Sequence, residues 1–343
     1  MKKIFFIAAA MIVVSCSVVV IEEKNETTQL SVKLSGVVNT LALSSPASTA
    51  ANTIQILNGH IFVIDRLDSV AHHEALNIAQ ATGTGQTLTT LVATDSRVFI
   101  VCNLPPDFPA THSLHALNDI KAVTSAMTYQ TDYTKIALAN SDGQPVAIGS
   151  PVSGVALVNV SLKPLISRME LVKVVGEYAI KAFTVTGVFV DNYYPSFTFS
   201  GGKSGTMFTQ GQSTTFNGIG DTDICAATGS SSLVAAPSGG KVWAHNVASG
   251  SLPRFIIRLT GVKYDTGSGI VDLSANTYYL TVTSYNFLGS TGFERGKIYQ
   301  IGGQNGIYFT RSDLGAIPNA VNINIAMELN TDEWVIESLY PNL

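Results

Sequence analysis

Along most of this chain apolar residues alternate with polar ones, the period of two that sends successive side chains to opposite faces of a strand. The pattern is clearest near the end, where Val321, Ile323, Ile325, Met327 and Leu329 alternate with Asn322, Asn324, Ala326, Glu328 and Asn330. It recurs near the start, with Leu30, Val32 and Leu34 against Ser31, Lys33 and Ser35. Further strand-type runs cover 54–65, 87–94, 97–103, 135–138, 145–148, 155–162, 165–175, 179–190, 254–264, 277–287 and 297–309. Helical patterns are fewer. The segment 69–80 opens on a cap-like Ser69 and predicts a short helix. Leu114, Leu117, Ile120, Val123 and Met127 recur at helical spacing behind Thr111 or Ser113. Strands outnumber helices and turn signals come at short intervals, so the expected fold is mainly all-β, built from sandwiches.

At 343 residues the chain exceeds what one hydrophobic core usually organises. We expect two tandem β-sandwich domains: 29–163, carrying the short helices in its loops, and 164–343, opening at Pro164. The stretch Ser44-Ser-Pro-Ala-Ser-Thr-Ala-Ala-Asn52 between the first two strands is small, polar and bounded by turn formers, the kind of loop a protease reaches. Residues 200–240 are rich in Gly, Ser and Thr and read as long surface loops with a strand or two. The final residues divide in two. Val321 to Asn330 reads as the closing strand of the second domain, followed by a break at Thr331-Asp332. The less regular tail, about 331–343, carries Trp334, Val335, Ile336 and Leu339 and has its strand edges still to pair.

The first residues are a targeting segment. Lys2 and Lys3 precede an apolar run from Ile4 to Val14, too short to span a bilayer comfortably. It ends Val13-Val14-Ser15-Cys16, which resembles the lipobox of a bacterial lipoprotein; a secretory signal with an incidental Cys and an uncleaved anchor are the other readings. Under the first, 1–15 is the signal peptide, Cys16 is acylated, and 16–28 is a tether. Several acyl chains, at ~0.8 kcal/mol per buried CH₂, hold a protein stably at a membrane.

Charged residues make up only 13% of the chain and the net charge is −4, with a mean hydropathy of +0.27. With no Lys/Arg block, a nucleic-acid partner is not expected. Of the other cysteines, Cys102 lies in a strand-like run and Cys225 follows a Gly-rich loop in the other half, so no disulfide and no metal site is expected.

No catalytic motif emerges. His112 and His115 form His-x-x-His without the zincin Glu, His72 and His73 are adjacent, and His60 and His245 stand alone. Gly201-Gly-Lys-Ser-Gly205 lacks the first Gly of a phosphate loop, because Phe197 stands there. No Gly-x-Ser-x-Gly occurs, and Asp221-Thr-Asp223 has too few oxygen ligands after it for a calcium loop. Aromatics gather in 191–199, around Tyr193, and at Tyr278-Tyr279, where rim or core packing competes with a glycan platform.

Several landmarks occur in order: the lipobox at Cys16; the first strand Leu30 to Leu34; Val101-Cys-Asn-Leu-Pro105 followed by a helix; Pro164-Leu-Ile-Ser-Arg-Met-Glu170; Val188-Phe-Val-Asp-Asn-Tyr-Tyr194; Phe293-Glu-Arg-Gly-Lys-Ile-Tyr-Gln-Ile301; and a last strand with a Trp-containing tail. In this order they resemble the FimA-type fimbrillins of Bacteroidales over nearly the whole chain. The resemblance implies two transthyretin-like sandwiches, no enzymatic activity and no cofactor or metal. It implies export as an outer-membrane lipoprotein, then proteolytic removal of the first strand, here Leu30, Val32 and Leu34. The groove so opened would take the C-terminal tail of the next subunit, here Trp334, Val335, Ile336 and Leu339, to build an extracellular fimbrium that supports adhesion.

Implied partners are other fimbrial subunits (copies of itself and accessory, tip or anchor subunits), the outer membrane through the lipid before maturation, and a host or bacterial surface receptor. The expected cut falls in the loop of Ser44, Ser45, Ala47, Ser48 and Asn52. One departure stands out: no Arg or Lys lies between Lys33 and Arg66, whereas family maturation resembles cutting after Arg. A non-polymerising outer-membrane lipoprotein, acting as fimbrial anchor or as a glycan- or protein-binding adhesin, is therefore the first rival. A secreted glycan hydrolase with two carboxylates ~5–9.5 Å apart is the second.

Overall fold

The structure is a computed structural model that describes residues 26–35, 37–38, 53–130, 135–209, 234–235, 243–283, 285, 292–318, 322–323, 330–333 and 335–338. The first half forms β1 (Thr27–Ser35), β2 (Val37–Val38), β3 (Thr53–Ile56), β4 (Gly59–Ile64), β5 (Val70–Ala75), helix α1 (Ile78–Thr82), β6 (Gln86–Ala93), β7 (Arg97–Cys102), helix α2 (Leu117–Ala122), β8 (Thr124–Ala126), β9 (Leu138–Asn140), β10 (Val146–Ala147) and β11 (Val155–Pro164). The second forms β12 (Ile166–Leu171), β13 (Val174–Gly176), β14 (Ile180–Asp191), β15 (Ser196–Thr198), β16 (Lys203–Ser204), β17 (Val234–Ala235), β18 (Trp243–Ala248), β19 (Arg254–Asp265), β20 (Ile270–Asp272), β21 (Tyr278–Val282), β22 (Lys297–Gln300), β23 (Ile307–Phe309), β24 (Asn322–Ile323), β25 (Asn330–Glu333) and β26 (Val335–Ser338). The fold is an all-β sandwich type.

The main sheet runs β5-β4-β7-β9-β11-β1-β6, with β10 beside β7. Its neighbours are antiparallel except β1 and β11, which run parallel. Burial follows the sequence pattern. β11 and β1 alternate strictly and turn one face to the core, whereas the continuous apolar run Val98 to Cys102 of β7 is buried throughout. The sheet curls until its outer strands meet. Glu74 of β5 accepts from Gln86 Nε2 at 2.8 Å, from Thr89 N at 3.2 Å and from Thr89 Oγ1 at 2.9 Å, all on β6.

Buried apolar side chains fall mostly into two large clusters. One holds the strands of the first half. The other holds the β14–β19–β21 sheet and the inner face of the β18-β12-β22-β25 sheet, around Trp243, Phe183 and Phe309. The halves also share structure. β15 pairs with β8, Phe197 and Phe199 bury in the first cluster, and Asn246 Nδ2 donates to Gln130 O at 2.7 Å. The Arg295 guanidinium donates to the carbonyls of Asn140, at 2.7 Å, and Ser141.

Several expectations need correction. The segment 69–80 is not one helix: Val70 to Ala75 is the edge strand β5, and helix begins only after Asn77, whose Oδ1 accepts from Gln80 N at 3.2 Å. The helix expected through Met127 stops at Ala122, because 124–126 pair with β15 instead. The run 54–65 is two strands, parted at Leu57-Asn58, and the strand expected at 135–138 lies at Leu138–Asn140. Thr331 and Asp332 are no break. They lie within β25, paired to Tyr299 and Ile298 of β22. Of the expected closing strand, β24 joins β21, and residues 324–329 lie outside the described residues.

Candidate functional site

β1 occupies a slot between two strands that do not otherwise pair. Residues Gln29 to Ser35 align in parallel with Val155 to Ser161 of β11. On the other side Thr27 to Val32 run antiparallel to Ala93 to Gln86 of β6, with a bulge between Gln29 and Ser31. Leu30, Val32 and Leu34 are 0%, 0% and 3% exposed and project into the first core, as their alternation dictates. On the other face Gln29 Nε2 donates to Leu88 O of β6 at 2.5 Å, and Ser35 Oγ meets Ser161 Oγ of β11 at 2.8 Å. If the strand left, three aliphatic side chains worth ~1.5–3 kcal/mol each would leave the core, and two backbone edges would open.

The tail meets the same half. β26 runs parallel to β3, with Val335 opposite Thr53, Ile336 opposite Ile54, Glu337 opposite Gln55 and Ser338 opposite Ile56. Its other edge pairs in parallel with β2, Val37 opposite Ile336 and Val38 opposite Glu337. Val335 and Ile336 are thus seated between the strands on either side of 39–52. On β3, Ile54 and Ile56 are 0% and 1% exposed and belong to the first core. Only residue 334 separates β26 from β25, which stays in the sheet of the second half. Trp334, Leu339, Cys16, Cys225, Asp221, Asp223 and the loop residues Ser44, Ser45, Ala47, Ser48 and Asn52 lie outside the described residues. Sequence reasoning overlooked β2 and β3 as the tail's neighbours. The available signal was Thr53-Ile-Gln-Ile56, a short alternation merged into the following strand.

Beyond the end of β3 lies a cavity of about 180 Å³ lined by Leu57, Asn58, Asn103, Leu104, Pro105, Pro106, Tyr129, Gln130 and Lys135. Asn103, at φ 53, holds its wall: Oδ1 accepts from Leu57 N at 2.9 Å, and Nδ2 donates to Gln55 O at 2.7 Å and Ile136 O at 3.0 Å.

The side chains able to carry chemistry are dispersed. His112 and His115 are exposed, and among the described residues no three His, Cys, Asp or Glu could hold a metal together. His60 and His73 pack with ring centroids 6.5 Å apart, and burial, helped by His73, lowers the pKa of His60. Burial pushes the Cys102 thiol far up, so it stays protonated and behaves as a small hydrophobe. Gly201 to Gly205 make the β15–β16 connection and its end. In the aromatic stretch Tyr193, Phe197 and Phe199 are buried, while Lys203 Nζ sits 4.6 Å from the Tyr194 ring; most of the cluster is core. Tyr278 and Tyr279 line a shallow depression with Asn276, Thr277 and Ala316.

No protein-family model matches the chain, and no curated protein sequence matches it. Solved structures do match its fold. A candidate cell adhesion protein from Parabacteroides distasonis ATCC 8503 superposes with a TM-score of 0.58 at 13% identity, over 92% of this chain and 99% of that one. Another, from Bacteroides eggerthii DSM 20697, gives 0.56 at 14% identity, over 92% and 98%. The fimbrilin FimA from Porphyromonas gingivalis W83 gives 0.53 at 11% identity, over 91% and 99%. The chain therefore has the FimA-type fimbrillin fold, and at these identities the likeness is one of architecture.

Proposed function

We propose that this chain is a structural pilus subunit without catalytic activity, built from sandwiches at 29–163 and 164–343. It is exported as a lipoprotein through Cys16 and assembled at the cell surface by strand exchange. A cut among Ser44, Ser45, Ala47, Ser48 and Asn52 frees β1, and the tail of the next subunit takes up the place prepared for a strand. The observation that carries this reading is the pairing of β26 with β3: the tail has a ladder partner and an apolar neighbour, Ile54, in the first half of the chain. A contact made within one chain can be exchanged between chains. The exchanged contact is head-to-tail, does not close, and so propagates as a filament. The short connection at 334 is where the tail would swing. Cutting the loop also removes β2 with β1, so β26 would lose one of its two neighbours as the β11–β6 slot opens.

The test is the N-terminal sequence of the surface form together with electron microscopy. A start within or just after 44–52 with filaments supports the reading; filaments whose subunits all start at Cys16 would refute strand removal. A second reading, a lipid-anchored fimbrial anchor or adhesin that keeps β1, is favoured by one observation, the absence of Arg and Lys from 34–65. It expects Cys16 at the N-terminus and no filaments.

A further inference from the structure

We infer that the cavity at the end of β3 is the seat of the residues that follow β26, with Leu339 and Tyr340 of the same chain as its occupants. The inference rests on the reading that the tail docks on the first half, and it extends that contact to a defined pocket. The strand register leads to this pocket. β26 and β3 run in the same direction and pair up to Ser338 opposite Ile56. Continued one step, that register would set Leu339 opposite Leu57, and a second step would set Tyr340 opposite Asn58. Leu57 and Asn58 are also the residues at which the cavity begins.

The lining suits apolar and aromatic side chains. Leu57 and Tyr129, 41% and 47% exposed, face the same depression, and Leu104, Pro105 and Pro106 complete its apolar wall. The wall is also fixed before anything enters, because Asn103 and Asn58 hold it through backbone bonds, Asn58 Oδ1 accepting from Leu104 N at 2.8 Å. Backbone pairing along β3 supplies affinity without much selectivity. A pocket that takes alternate side chains at the end of the ladder supplies the selectivity and fixes the register.

The test is site-directed cross-linking of the full chain with Cys16→Ser and Cys225→Ser; Cys102 stays, since its buried thiol does not react. Leu57→Cys with Leu339→Cys is treated with a short bis-maleimide and compared with Thr53→Cys with Val335→Cys, which reports the β26–β3 ladder itself. Leu67→Cys with Leu339→Cys is the control, because Leu67 is exposed at the opposite end of β4. The inference expects a faster-migrating monomer band for the 57–339 pair and for the 53–335 pair, and none for 67–339. A band for 53–335 without one for 57–339 overturns the pocket and leaves tail docking standing. Absence of both overturns tail docking as well. Cross-linked dimers without cross-linked monomers overturn occupation by the same chain. Tyr129→Ala, made on the 57–339 pair, should reduce its monomer band and leave that of 53–335 unchanged.

Discussion

Val32 offers a test in which one substitution should act on one form of the protein and not on another. It is fully buried at the middle of β1, opposite Val158 of β11 and Gln86 of β6. Val32→Ala removes the equivalent of two methylenes, about 1.6 kcal/mol at ~0.8 kcal/mol each. A residual cavity of about 50 Å³ adds ~1.2 kcal/mol at ~24 cal/mol per Å³. The unprocessed protein should therefore lose about 2–3 kcal/mol. With a urea dependence of ~2 kcal/mol per molar, the midpoint followed by circular dichroism falls by roughly 1–1.5 M. After cleavage in 44–52 and assembly, β1 is gone, and filaments made from the variant should dissociate at the same urea concentration as those from the parent. An equal loss in both forms would show that β1 stays in the assembled subunit. No loss in the precursor would show that β1 does not hold the core together.

Other consequences are quicker to check. His60 is held below its ordinary pKa by burial and by His73, so its contribution to stability is complete above about pH 6.5 and declines as the pH falls through that value. His60→Asn should flatten stability against pH between about 5 and 7. Glu74 is raised by burial but lowered more by donors from Thr89, Gln86 and His72, and its net pKa is depressed. Its contribution is present above about pH 4.3 and is lost as the pH falls through the folded value. Glu74→Gln should lower the melting temperature at pH 7 and converge with the parent near pH 3. Gly306 lies at φ 76, and an added Cβ would stand 2.3 Å from the Lys173 carbonyl oxygen. Gly306→Ala should therefore cost at least ~1–3 kcal/mol by thermal melting; an unchanged melting temperature would show that the backbone at Lys173 yields easily.

Much of the fold could be read from the alternation because half-buried strands write their burial into the sequence. Leu30, Val32 and Leu34 are buried as their spacing requires. The errors arise where tertiary pairing overrides local preference. His72, His73, Glu74 and Ala75 tolerate helix, yet they lie along the edge of β4 and are drawn into its ladder. Val123 continues the apolar spacing of α2, but 124–126 turn away to meet β15, a strand some seventy residues on. No local signal announces such a partner. The site was legible in part. The first strand and the apolar tail stand out as patterns, but which strand the tail meets depends on how the chain brings β3 beside β26. The cavity at Leu57 depends on Asn103 in a left-handed conformation, which nothing in Cys-Asn-Leu-Pro declares.

The central claim is that the tail of one subunit joins it to the next. The most direct measurement is electron microscopy of loop-cut subunits with and without residues 333–343. Filaments from the full-length chain and none from the chain ending at Asp332, with both forms showing the same β-rich circular dichroism, is the predicted result. Filaments of equal length and number from the truncated chain would contradict it.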